Sequence, residues 1–235
     1  MTLQRDDTFS SRAAMALAAL VLSAAGCMPL GSVQTASTVG EGNVELGVEP
    51  GLWGAAASGG FVAIPRVDVA VRYGLDDATD IGVRFGSTAL ELQGKFCLTN
   101  EDSSGPITSF APALMGFYAG SNDTGGGYLH LALPLLLGFG DPEGTEIVIG
   151  PRIHTFYGFG RSEGSSAGGL VLAAGSSFAA AFRVGKRFRF LPEVTLLYPF
   201  LGASDTSSDE GRSSAMAFGS KGLLFQGTLG FLFDF

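Results

Sequence analysis

The chain has 235 residues, a formal net charge of −8, 46% hydrophobic and only 15% charged residues, with 36 glycines and 19 phenylalanines. A disordered chain needs low hydrophobicity and high charge, soluble domains carry about 25% charge, and a nucleic-acid binder needs a basic face, so all three readings are disfavoured. Beyond the first thirty residues no apolar run reaches the ~18 residues of a spanning helix, which leaves a membrane protein built of strands.

In chain order, Arg5 and Arg12 precede an uncharged run from Ala13 to Leu22, and Ser23-Ala24-Ala25-Gly26 places small residues ahead of Cys27. Residues 1–26 therefore read as a secretory signal whose apolar part is too short to span. Asp6 and Asp7 offset the arginines, so a start near Met15 is an alternative. Ala24-Ala25-Gly26-Cys27 resembles the cleavage box of bacterial lipoprotein signals, although alanine stands where leucine is preferred. The resemblance implies cleavage before Cys27 and lipidation of that residue. The alternatives are an ordinary cleaved signal, or a disulfide with Cys97, the other cysteine, in an oxidising periplasm. Residues 27–42 are expected to form a periplasmic linker.

From Asn43 onward apolar residues recur at every second position, the period of a strand with one apolar face. Val44, Leu46 and Val48 lie opposite Glu45 and Glu49; Val67, Val69, Val71 and Tyr73 lie opposite Arg66, Asp68 and Arg72. Ile81, Val83 and Phe85 set Asp80 and Arg84 on the polar side, and Leu90, Leu92 and Phe96 do the same for Glu91 and Lys95. Ile107 to Tyr118 is a weaker strand, and Leu129 to Phe139 is the clearest. Ile147, Ile149 and Ile153 oppose Glu146, Arg152 and His154; then come Leu170 to Val184, Phe188 to Pro199 with Glu193, and Met216 to Phe235. The pattern predicts about ten antiparallel strands over residues 43–235, with eight to twelve possible. Trp53, Tyr73, Tyr118, Tyr157 and Tyr198 read as interfacial anchors.

A β-sandwich also alternates, but its outer face is rich in Lys, Thr and Glu, whereas here single charges are scattered among Gly, Ala and Ser. A transmembrane antiparallel β-barrel turns its large residues to lipid and its polar and small ones to the lumen. The last strand places Leu223, Phe225, Leu229, Phe231, Phe233 and Phe235 on one face. That ending resembles the terminal β-signal of Gram-negative outer-membrane proteins, and from about Gln34 onward the chain resembles small outer-membrane barrel proteins. The resemblance implies recognition of Phe231, Phe233 and Phe235 by the barrel assembly machinery, contact with outer-membrane lipid, and an outer-membrane location. An even strand number puts both termini on one side, expected to be periplasmic. The segments 158–169 and 202–214 are expected as long external loops.

By parity the lumen collects Arg66, Asp68, Arg72, Arg84, Glu91, Lys95, Arg152, Arg183 and Glu193 with His130 and His154. Mixed signs at this density point to salt-bridged side chains filling a narrow barrel rather than a ring that selects ions. The expected role is structural or interactive; the alternatives are a narrow pore or transporter for small or hydrophobic solutes, and a barrel enzyme acting on lipid or peptide. Barrel enzymes pair His with Ser or Asp near the outer rim, and no such motif adjoins His130 or His154, so no catalytic residue is assigned. There is no Cys/His cluster for zinc, Gly138-Phe139-Gly140 is no phosphate loop, and no cofactor is expected.

Overall fold

The structure is a computed structural model that describes residues 29–57, 60–86, 89–99, 105–120, 124–162, 165–206 and 222–235. The expected signal, Cys27 and most of the 202–214 loop lie outside the described residues. Among the described residues eleven strands follow in order: β1 (Val44–Ala57), β2 (Gly60–Asp76), β3 (Thr79–Phe85), β4 (Leu90–Cys97), β5 (Ile107–Phe110), β6 (Ala113–Gly120), β7 (Thr124–Gly140), β8 (Thr145–Ser162), β9 (Ser165–Arg183), β10 (Phe188–Thr206) and β11 (Gly222–Asp234). Adjacent wall positions pair antiparallel, and β1 pairs with β11 from Glu45↔Asp234 to Ala57↔Gly222, which closes the sheet.

β5 and β6 occupy one wall position, since both lie between β4 and β7, and the result is a closed ten-strand barrel. The weak strand read from the sequence over Ile107 to Tyr118 is this broken one. Pro112 has no N–H for the ladder, and Pro134 stands on the neighbouring strand. Across the break Ala111 N still donates to Pro134 O at 3.0 Å, and Gly94 N donates to Pro112 O at 2.9 Å.

Alternation carries through to burial, but inverted with respect to a soluble protein. On β2 the side chains of Val67, Val69, Val71 and Tyr73 are exposed while Arg66, Asp68, Ala70 and Arg72 are buried. Exposed large apolar residues recur around the whole wall, including Leu92, Leu129, Ile153, Phe178, Val194 and Leu229. An apolar surface this extensive is unfavourable in water and favourable against hydrocarbon, so the barrel has the build of a membrane barrel. Aromatic residues gather toward both ends of the wall. Phe188 packs against Phe231 and Phe233 and Phe190 against Phe231 at the end carrying the C-terminus, and Tyr118, Tyr157 and Phe159 pack together at the far end.

Three expectations are corrected. The stretch 158–169 is mostly hairpin, with β8 and β9 paired from Gly158↔Gly169 to Ser162↔Ser165, and β10 runs through Ser204 to Thr206. Past the apolar belt both faces of a hairpin meet water, so the alternation that signals a strand disappears while main-chain pairing continues. Trp53 is no interfacial anchor: it is 2% exposed and points inward, sharing the odd-numbered face of Glu45 and Glu49. Tyr73, Tyr118, Tyr157 and Tyr198 do face outward. Finally, residues 30–37 of the stretch expected as a periplasmic linker lie within the barrel, as follows.

Candidate functional site

Among the described residues the lumen is filled by charged and apolar side chains projecting from the wall and by the chain's own residues 30–37, buried throughout. From the end that carries the C-terminus, a turn at residues 40–43 leads inward from the base of β1. Gly40 and Gly42 take positive φ there, 86° and 75°, and a Cβ on Gly74 would lie 1.9 Å from Gly40 O. Only glycine fits such an approach without displacement. Thr38 Oγ1 then donates to Asp77 O at 2.7 Å, and Val39 N donates to Asp80 at 3.0 Å.

Deeper in, Ala36 N donates to Glu146 Oε1 at 2.9 Å and Ser37 Oγ to Glu146 Oε2 at 3.2 Å. Lys95 Nζ donates to Ser37 O at 2.7 Å, and Ser109 Oγ to Ala36 O. At mid-height Ser32 N and Val33 N both donate to Glu193, at 3.0 and 2.9 Å. Arg72 donates to the carbonyls of Ser32 and Val33, and Arg84 to those of Gly31 and Ser32. At the deepest described point Leu30 N donates to Gln226 Oε1 at 2.6 Å, and Arg152 Nη1 donates to Leu30 O at 2.6 Å. These residues form a plug.

The plug is two-sided. Val33 and Ala36 pack on Leu136, Val148, Ala179, Ala181, Leu191 and Leu232, an apolar strip on β7 to β11. Leu30 enters a second apolar cluster toward the far end, with Trp53, Met115, Tyr128, Phe156, Leu197 and Leu224. Val33 holds φ at 45°, a region costly for a β-branched residue, so its contacts impose this conformation on it. A Cβ on Gly230 would meet Val33 Cγ1 at 2.5 Å, so the absence of a side chain there makes the seat for Val33.

Of the residues assigned to the lumen by parity, Arg66, Asp68, Arg72, Arg84, Glu91, Lys95, His130, Arg152, His154 and Glu193 are buried. Arg84 is the hub, with Nε 3.2 Å from Glu49 and Nη1 3.4 Å from Glu91. Arg72 pairs with Glu45 and Glu49, Lys95 with Asp80 at 3.0 Å, and Arg66 with Asp68. Arg183 belongs elsewhere: it sits partly exposed at the rim near Glu143 and Asp234, because β9 ends there. Arg189 was missed, although it shares the parity of Glu193; it is buried and bridges Glu45 and Asp234.

Buried charge is close to balance, and the uncharged plug supplies hydrogen-bond donors where a close cation is lacking. Glu45, Glu49, Asp68, Asp80, Glu91, Glu146 and Glu193 face Arg66, Arg72, Arg84, Lys95, Arg152 and Arg189. Glu146 takes its hydrogen bonds from plug N–H and O–H groups, and Glu193 lies 3.9 Å from Arg152 while binding two plug amides. Charge-assisted bonds from peptide N–H groups thus stand in for a close cation at both carboxylates.

His130 Nε2 and His154 Nδ1 are 2.7 Å apart, and both rings stack with Phe156. Among the described residues the remaining nitrogens, His130 Nδ1 and His154 Nε2, have no hydrogen-bond partner. Among the described residues no group of three His, Cys, Asp or Glu side chains is arranged to hold a metal ion. Phe231 and Phe233 are half-buried on the outer face, and Phe235 is exposed, with its N–H donating to Val44 O at 2.8 Å.

No protein-family model matches the sequence, and no curated protein matches it. Among solved structures, the chain is similar to Ail, the attachment invasion locus protein of Yersinia pestis, with 11% identity, 83% of this chain and 99% of that chain covered, and a TM-score of 0.38. Neisserial surface protein A gives 8% identity, 83% and 98% coverage and a TM-score of 0.39. A major outer membrane protein from Thermus thermophilus gives 13% identity, 82% and 99% coverage and a TM-score of 0.41.

Proposed function

We propose that the chain is an outer-membrane β-barrel that works as a plugged conduit, held shut by its own residues 30–37. The observation that carries this reading is the passage of those residues along the lumen, with their main-chain groups bound to wall side chains. An interior of about eight strands is filled by side chains alone, and ten strands leave additional width. Here a chain segment takes that width, and among the described residues it leads into the wall through the turn at 40–43. Polar bonds hold most of it, and water can replace polar bonds as a segment leaves, which favours a removable closure over a permanent core.

The end bearing Asp77 and the C-terminus is assigned to the periplasm, because three of its connections, at 77–78, 141–144 and 184–187, are short while β7 to β10 extend at the other end; the connection from β4 to β5 over 98–106 is the long exception. The exposed terminal Phe235, with Phe231 and Phe233 on the same outer face, suits recognition by the barrel assembly machinery.

Conductance in planar bilayers tests the reading. The full chain is expected to be electrically silent, and a chain lacking residues 30–37 to show stepwise currents. Steady conduction by the full chain, or silence from the shortened chain once its unheated form is shown to migrate as a folded barrel, would count against it.

A further inference from the structure

Wall side chains address the main chain of residues 30–37 far more than its side chains. Glu193 and Glu146 accept from amides, while Arg72, Arg84 and Lys95 donate to carbonyls. Peptide N–H and C=O groups are common to every sequence, so such contacts carry no selectivity for side-chain identity. Selectivity comes instead from size. A Cβ on Gly31 would lie 2.2 Å from Glu193 Oε1, Val33 fills the space over Gly230, and Ala36 lies against Gly138, where an added Cβ would come within 2.7 Å of it.

Resting on the plugged-conduit reading, we infer that the lumen is a binding site for an extended polypeptide segment in general, of which residues 30–37 are the resident occupant. Another chain is accepted when small residues fall at the positions of Gly31 and Ala36, and a residue no larger than valine at that of Val33. The wall charges supply the same pattern of acceptors and donors to any main chain in that register.

The test uses the full chain, with a protease site inserted at the exposed turn between Glu41 and Gly42 and cut only after folding. Trp53, the single tryptophan, packs in the cluster that Leu30 enters and reports occupancy of the lumen by its emission. Three synthetic peptides are offered to the cut barrel: the sequence of residues 29–39; a shuffled version that keeps only Gly31, Val33 and Ala36; and the native sequence with Phe in place of Gly31 and Ala36. Anisotropy of a dye on each peptide measures uptake.

The shuffled peptide is expected to bind within about tenfold of the native one, a difference of about 1.4 kcal/mol, and the Phe-bearing peptide about a hundredfold more weakly or worse. If the severed resident segment stays in place, the same cut made in a Gly31→Val chain loosens it, and the native peptide is expected to displace it with recovery of the buried Trp53 emission. Failure of the native peptide to enter either cut barrel, or entry of the native peptide with rejection of the shuffled one, would overturn the inference. Peptide uptake by a barrel that never conducts would overturn the conduit reading alone.

Discussion

Replacement of Arg84 by alanine is expected to destabilise the barrel by about 3–5 kcal/mol, the range found when one partner of a buried ion pair is removed. Arg84 is 1% exposed and stands between Glu49 and Glu91, with two further bonds to plug carbonyls, Nη1 to Gly31 O at 3.0 Å and Nη2 to Ser32 O at 2.6 Å. Among the described residues, its loss leaves Glu91 without a paired cation and Glu49 with only Arg72, 3.5 Å away. It also takes the donor from the buried Gly31 carbonyl and leaves that of Ser32 with Arg72 alone. Arg183→Ala is the control, since that side chain lies at the rim with a partner, Glu143, that is 79% exposed, and its pairs are expected to contribute about 0–1 kcal/mol. Urea unfolding in lipid vesicles, read at constant m, separates the two variants. Equal losses from both would mean that the lumenal network does not hold the fold.

Gly31→Val is expected to expel the plug while leaving the wall intact. The first added carbon would lie 2.2 Å from Glu193 Oε1 and 3.2 Å from Thr195 Oγ1. Glu193 is a flexible side chain, but it cannot retreat freely: it is tied to Ser32 N, Val33 N and Thr195 Oγ1, and yielding to the new side chain breaks those bonds together. Val33 then loses the contacts that hold its strained φ of 45°. The variant is expected to show stepwise currents like those of the chain lacking residues 30–37, and a red shift of Trp53 emission. The glycine-to-valine change removes no wall charge, so strand pairing and heat-dependent gel migration are expected to be preserved. A silent, unshifted variant would show that the plug adapts to the added volume.

The wall was legible because an antiparallel barrel has one polar and one apolar face, so residue parity sorts each strand. Parity alone places Arg72, Arg84, Glu91 and Glu193 inward, and a closed barrel of about ten strands follows from counting. Legibility ended where a strand stops separating two media. The arms of β8, β9 and β10 beyond the apolar belt read as loop because Gly158, Gly160, Ser165 and Gly168 show no alternation. The plug escaped for a related reason. Leu30-Gly31-Ser32-Val33-Gln34-Thr35-Ala36-Ser37 carries no charge and no period, and small polar residues of this kind compose linkers as readily as a strap bound by its main chain. Its partners are peptide groups, which every sequence has. One signal was available: Glu146 and Glu193 face a lumen whose nearby cations are already engaged, and a buried carboxylate needs donors from somewhere. Arg189 and Trp53 were within reach of parity alone, by continuing the inward faces of Glu193 and Glu49.

The central claim, that residues 30–37 lie inside the barrel, is tested most directly by thiol labelling in the folded protein. With Cys27 and Cys97 replaced by serine, single cysteines are placed by Ser32→Cys in the plug and Glu41→Cys in the exposed turn, and a maleimide is added before and after denaturation. Position 41 is expected to react at once in the folded barrel, and position 32 to remain unlabelled until the protein is unfolded. Equal labelling of both positions in the folded protein would contradict a plugged lumen.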